Sequence, residues 1–188
     1  FSIYETESKF LEGTGSMILD RPNKIVYAAL SMRTDPDVLN EFCDQFNYTP
    51  VVFHANQTVD GLRLPIYHTN VMMCVAEMFA VICLDAIDDE GERNDVAKSL
   101  EKTGKEIIEI TEEQENHFAG NMLHLHSEEG DQYLVMSGAA HKSLHKDQIE
   151  MIEKYCSIIS SPLDTIEQLG GGSARCMMAE VFLPRKEE

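Results

Sequence analysis

Two spacings of apolar residues alternate along this chain, one of period two and one near 3.6, and their order recurs. Residues 17–20 and 25–30 are apolar runs of strand length around Arg21-Pro22-Asn23-Lys24, a pattern that predicts a hairpin. Thr34 or Asp35, with Pro36 just inside, then starts a helix to about Phe46, since Val38, Leu39, Phe42, Cys43 and Phe46 recur at helical spacing. Residues 49–54 predict another strand. The same order follows twice more. Residues 71–75 and 78–85 read as paired strands bending near Ala76-Glu77, 94–104 as a helix ended by a glycine cap, and 106–110 as an alternating strand. Residues 121–126 and 132–137 read as a hairpin across Glu128-Glu129-Gly130-Asp131, 146–155 as a helix with Ile149, Ile152 and Tyr155 on one face, and 157–160 as a short strand. Residues 167–183 would begin a fourth unit.

The chain therefore reads as an α/β fold built on a ββαβ repeat of roughly fifty residues, with strands lining a centre and helices outside. A partial ring leaves open strand edges, and the chain opens on Phe1 rather than methionine. The expectation is a single domain over residues 1–188 that lacks an N-terminal portion.

Composition narrows the function classes. Hydrophobic residues make up 43% of the 188, enough for a packed core. The longest apolar stretch, 71–87, is interrupted by Glu77 and Asp85 and falls short of the eighteen or so apolar residues that cross a bilayer. No basic-then-apolar leader is present, so a cytoplasmic location is expected. Acidic residues outnumber basic ones 33 to 15, a formal charge of −18. That field repels nucleic acid and anionic membranes and mildly attracts a small cation. Five cysteines without paired spacing argue for free thiols, and no His/Cys cluster has zinc spacing. No cofactor or metal is expected, and homo-oligomerisation is left open.

The candidate chemistry lies where the units begin. These starts are Glu12-Gly13-Thr14-Gly15, Tyr67-His68-Thr69-Asn70, Phe118-Ala119-Gly120-Asn121, and the run Gly170-Gly171-Gly172-Ser173-Ala174-Arg175-Cys176. The glycines can approach a ligand closely and deliver the Cys176 thiol at the mouth of a short buried strand over 176–183. Units set around an axis bring their starts together at one end, which would join Cys176 to His68. A thiol, an imidazole and a carboxylate form an activated-nucleophile set: the histidine moves protons and the carboxylate fixes its tautomer. The plainer alternatives are a core thiol at Cys176, a turn histidine at 68, a solvated carboxylate at Glu12, and turn asparagines at 70 and 121 bonded to nearby backbone. Cys43, Cys74, Cys83 and Cys156 lie on apolar faces and read as core. His124 and His126 share a strand face without a third partner. Ser173 lacks the surround of a hydrolase elbow.

These residues resemble the guanidino-group-modifying (pentein) superfamily of arginine deiminases, dimethylarginine dimethylaminohydrolases and amidinotransferases. LEGTGSMILDR, PIYHTNVMM, FAGNMLHL and GGGSARCMMAEVFLP look closest to its amidinotransferase or citrulline-utilisation branch. The resemblance spans about residues 10–184. It implies a ring of five ββαβ units with the first missing here, Cys176 as nucleophile, His68 as general acid/base and Glu12 as the acidic residue beside it. Asn70, Asn121 and Arg175 would line the substrate, a small guanidino or ureido compound. Asn70 stands where deiminases carry a substrate-binding aspartate, which favours a neutral ureido group over a guanidinium, since an amide both donates and accepts. The family's second substrate-binding aspartate, upstream of the Glu-Gly pair, has no counterpart. The expected activity is hydrolysis of a linear amidine or ureido group through a covalent cysteine intermediate. Amidino transfer and a non-catalytic binding protein that keeps the fold are the alternatives.

Overall fold

The computed structural model describes residues 2–180. Two short helical turns, α1 (Ser2–Thr6) and α2 (Gly13–Ser16), lead into the first of three similar sheets. In that sheet β1 (Ile18–Asp20) pairs antiparallel with β2 (Ile25–Ala29), Ile18 opposite Tyr27. The helix α3 (Pro36–Phe46) then crosses over, and β3 (Thr49–Phe53) returns parallel to β2, Ile25 opposite Thr49. Asp35 caps α3 by accepting the N–H of Asp37 at 2.9 Å, with Pro36 inside the first turn where its missing N–H costs nothing. β2 is buried on both faces: Tyr27 and Ala29 join the main core, while Val26 and Ala28 join a smaller core with Leu39 and Cys43 under α3.

A hairpin of β4 (Asn56–Val59) and β5 (Leu62–Pro65) follows. The sequence reading did not include it, although Asp60-Gly61 is the dipeptide that the tight hairpin turn demands; both residues take positive φ, 50° and 77°. The second sheet pairs β6 (Met73–Val75) antiparallel with β7 (Phe79–Ile82). The helix α4 (Glu90–Lys102) leads to β8 (Glu106–Glu109), parallel to β7. This helix starts earlier than the expected residue 94, because Asp89 caps it through the Glu92 N–H at 2.8 Å and the acidic first turn suits the positive helix end. The expected strands over 71–75 and 78–85 are shorter than predicted. Thr69–Val71 and Leu84–Ala86 are 3₁₀ turns that reverse the chain at the strand ends.

The third unit opens with α5 (Glu112–Asn116), then β9 (Leu123–His126) antiparallel to β10 (Gln132–Ser137). Its helical crossover is split into α6 (Gly138–Ser143) and α7 (Lys146–Glu153) before β11 (Ser157–Ser161) returns parallel to β10. The chain continues through α8 (Asp164–Gly170). The expected strand over 176–183 is replaced in its first part by a 3₁₀ turn, Ala174–Met177, and its residues 181–183 lie outside the described residues.

The opening strands β1, β6 and β9 stand side by side, so three ββαβ units form an arc about one axis. One main core runs through all three, from Tyr27 and Phe53 through Phe79 and Ile82 to Leu134 and Ile152. The first two units are also pinned by a buried ion pair: Lys105 Nζ lies 2.9 Å from Asp20 Oδ2 with side chains 1% and 2% exposed, and also donates to Glu77 O at 3.1 Å. No helix among the described residues is long and apolar enough to cross a membrane.

Candidate active site

Each unit begins with a short helical or looped turn at the same end of its first strand, and these turns pack on one another. Thr69 is the staple between the first two. Its hydroxyl donates to Ser16 O at 2.6 Å and accepts the Ala29 N–H at 2.9 Å, all three residues being fully buried. Ser16 Oγ in turn donates to Arg33 O at 2.7 Å and accepts the Glu12 N–H at 2.9 Å. Glu12 and His68 therefore leave backbone held by satisfied polar groups. Their side chains meet with Glu12 Oε2 2.6 Å from His68 Nε2. An ionised carboxylate only accepts, so Nε2 carries the proton and Nδ1 is the free nitrogen. Gly15 makes room for the ring: a Cβ there would stand 3.0 Å from three imidazole atoms.

The Cys176 side is built differently. Gly171 takes φ 68° and its carbonyl accepts from Tyr67 Oη at 3.0 Å. Gly172 leaves the sulfur clear, since a Cβ there would come within 3.2 Å of Sγ. Ser173 Oγ donates to Glu167 Oε1 at 2.6 Å, closing the loop on α8. The Cys176 residue is exposed, in contrast to the other four cysteines, which are buried. Burial pushes the thiols of Cys74 and Cys156 up to about 12 and about 11. Sγ lies 3.4 Å from Asn121 Nδ2 and 3.9 Å from Asn70 Nδ2. Asn70 follows His68 by two residues, so the turn that carries the imidazole also touches the thiol. The Asn70 Oδ1 is buried and has no partner.

Asn121 has no exposed surface and faces the sulfur and two backbone groups. It reaches them because Gly120 crosses the second unit's turn directly: a Cβ at 120 would overlap the Val71 carbonyl and the Met72 backbone. The guanidinium of Arg175, 7% exposed, turns inward to Met178 O at 3.0 Å and to Glu180 at 3.7 Å, and not toward the thiol. Tyr67, which the sequence places in a unit start without a role, and Arg33, which carries no sequence signal, complete the site. Arg33 Nη1 is 3.5 Å from Glu12 Oε2, its Cζ lies 5.4 Å from the Tyr67 ring centre, and its side chain is about half exposed, 47%. Burial raises the Tyr67 phenol, the neighbouring Cys176 adds to this, and Arg33 opposes it. The half-buried tyrosine three residues ahead of Asn70 carries no local sequence signal beyond its place beside His68. The rings of His124 and His126 lie 5.1 Å apart elsewhere, bonded to Gln132 and Glu77. Among the described residues, no three His, Cys, Asp or Glu side chains converge as a metal centre would.

The family described as N,N dimethylarginine dimethylhydrolase, eukaryotic, matches residues 1–183. Among solved structures, the chain is similar to ArgZ, an arginine dihydrolase from the ornithine-ammonia cycle in cyanobacteria, with 17% identity and a TM-score of 0.66 over 88% of this chain and 24% of that one. It is similar to AgrE, solved as a ternary complex with ornithine and NAD+, with 18% identity and a TM-score of 0.68 over 95% of this chain and 24% of that one. It is also similar to SxtG, an amidinotransferase from Microseira wollei, with 12% identity and a TM-score of 0.56 over 86% of this chain and 42% of that one. The chain thus spans about a quarter of ArgZ and AgrE and under half of SxtG. No curated protein matches it.

Proposed function

The chain belongs to the N,N dimethylarginine dimethylhydrolase family, within the pentein superfamily, and from that premise we propose that it supplies the covalent site of a hydrolase that cleaves a carbon–nitrogen bond in a guanidino or ureido compound. The observation that carries the reading is the exposed Cys176 thiol in contact with Asn70, in the turn whose His68 is bonded to Glu12.

The steps follow from those groups. The Cys176 thiolate attacks the central carbon of the substrate group, forming a C–S bond. His68 passes a proton to the departing nitrogen as that C–N bond breaks, releasing ammonia or an amine. His68 then takes a proton from water, whose oxygen adds to the same carbon and expels the thiolate. Glu12 holds the imidazole in one orientation through both halves. Asn70 Oδ1, buried without a partner, accepts a substrate N–H, which repays the cost of burying it. Arg33, half exposed beside Glu12, faces solvent at the rim and suits the carboxylate of an amino-acid substrate. Among the similar structures, an ArgZ domain variant was solved covalently bonded to a reaction intermediate, and a covalent route here is consistent with the shared fold.

Incubation with citrulline, arginine and methylated arginines, with ammonia or amine release as the readout, tests the reading. Turnover of one of them, abolished by Cys176→Ser, is the expected result. No release from any, together with alkylation of Cys176 no faster than that of the four buried cysteines, would overturn it.

A further inference from the structure

We infer that Asn121 is a positioning residue for the nucleophile: a fixed amide fork that gives the Cys176 sulfur a hydrogen-bond donor when it is an anion and an acceptor when it is a thiol. The inference rests on the reading of Cys176 as nucleophile.

A primary amide has two N–H donors and two acceptor lone pairs, and all four positions of Asn121 have a partner at hand. Nδ2 donates to Asn70 O at 2.9 Å and stands 3.4 Å from Sγ. Oδ1 accepts the Arg175 N–H at 3.1 Å and stands 3.6 Å from Sγ. The two backbone partners are opposite in kind, a carbonyl and an N–H. Flipping the amide would set oxygen against oxygen and N–H against N–H, so the orientation is determined by the network. One N–H therefore always faces the sulfur, and one lone pair is always open to an S–H. The side chain is fully buried, and water does not compete for either position.

The fork also couples three unit starts. It bonds the turn that carries His68 and Asn70 through the Asn70 carbonyl, and the turn that carries Cys176 through the Arg175 N–H. Gly120 is what allows the loop to cross close enough. The same side chain that offers the sulfur a donor thus registers it against the proposed acid/base turn. A residue that merely filled space would need neither the fixed amide orientation nor the two opposite backbone partners.

The test needs no substrate. Asn121→Asp is nearly isosteric and keeps an oxygen for the Arg175 N–H, but replaces the donor facing the sulfur with a second oxygen. Asn121→Ser removes the donor without adding a charge. Iodoacetamide labelling of Cys176, followed by peptide mass mapping over a range of pH with circular dichroism to monitor folding, reads the effect. Asn121→Asp is expected to label about tenfold more slowly near neutral pH and to regain the native rate as pH rises; Asn121→Ser falls about threefold. A folded variant that follows the native pH profile overturns the inference. Should neither variant fold, the native protein decides. Its Cys176 S–H stretching band near pH 5, assigned by its loss in Cys176→Ala, must lie below that of a free thiol, and a band at the free-thiol position overturns the inference. Failure to turn over any guanidino or ureido compound would sink the proposed function and leave these labelling results standing.

Discussion

The two halves of the site are held by different means. The histidine half rests on hydroxyls that bond backbone between the first two units, and the buried Asp20–Lys105 pair joins the same two units with each charge matched. The thiol half hangs from a glycine loop fastened by a tyrosine hydroxyl, a serine hydroxyl and the amide of Asn121, and the helix α5 ahead of Asn121 carries Glu115, a carboxyl buried beside the Cys83 thiol. Satisfied polar groups make a shelf for His68, the proposed proton carrier. The glycine loop leaves Cys176, the proposed nucleophile, exposed, and the buried Glu115 makes the stability of that side depend on pH.

The largest effect is expected from breaking the ion pair that joins the first two units. Lys105→Met leaves Asp20 charged and buried without its partner, which costs about 3–5 kcal/mol. Denaturant unfolding should show that loss, and a change below about 1 kcal/mol would mean that the pair adds nothing to the first two units' docking.

Glu115 gives the converse. Burial raises its carboxyl to about 7, against an ordinary value near 4.3. The native state then binds the proton more tightly than the unfolded chain, so stability falls as pH rises from about 4.5 to about 7. The full loss is on the order of 3 kcal/mol. Thermal unfolding across that window should show the decline, and Glu115→Gln should flatten it. A native protein whose stability rises steadily over the same range would contradict a raised, buried carboxyl at Glu115.

Glu12→Gln sharpens the comparison at the chemistry. The glutamine keeps a hydrogen bond to Nε2 but not the charge, and turnover should fall about 10²-fold, while labelling of Cys176 changes by less than about threefold. A parallel fall in both would mean that the two halves do not divide proton transfer from nucleophile supply.

The division between the halves was legible in the sequence to different degrees. The ββαβ rhythm is written in local spacing, since β2 and β7 are apolar and α3 has a helical stripe and an Asp-Pro start. The unit starts stand out because glycine and polar residues interrupt that rhythm in the same place each time. What local pattern could not show is long-range. Arg33 reaches Glu12 only because the turn after β2 folds back over α2, and Tyr67 meets Gly171 across a hundred residues of chain. The apolar residues after Cys176 suggested a strand, but the backbone curls into a 3₁₀ turn there, and the Arg175 N–H reaches Asn121 just ahead of the thiol. The β4–β5 hairpin had its Asp-Gly signal in plain view, but its exposed strands lack the alternation that marks a half-buried sheet.

The smallest expected effect separates the fastening of the loop from the chemistry it serves. Tyr67→Phe removes the hydroxyl that bonds Gly171 O and keeps the ring that packs on His68 and under Arg33. One hydrogen bond of this kind is worth about 1 kcal/mol, so turnover should fall roughly fivefold. A loop released from the shelf opens more often, so proteolytic cleavage at Gly170–Gly172 should accelerate by a similar factor while the global unfolding midpoint moves little. Faster cleavage with lower turnover locates the effect in the loop. Lower turnover with unchanged cleavage would instead assign Tyr67 to the substrate side of the site, and the contrast between a histidine shelf and a tethered thiol would lose one of its three fastenings.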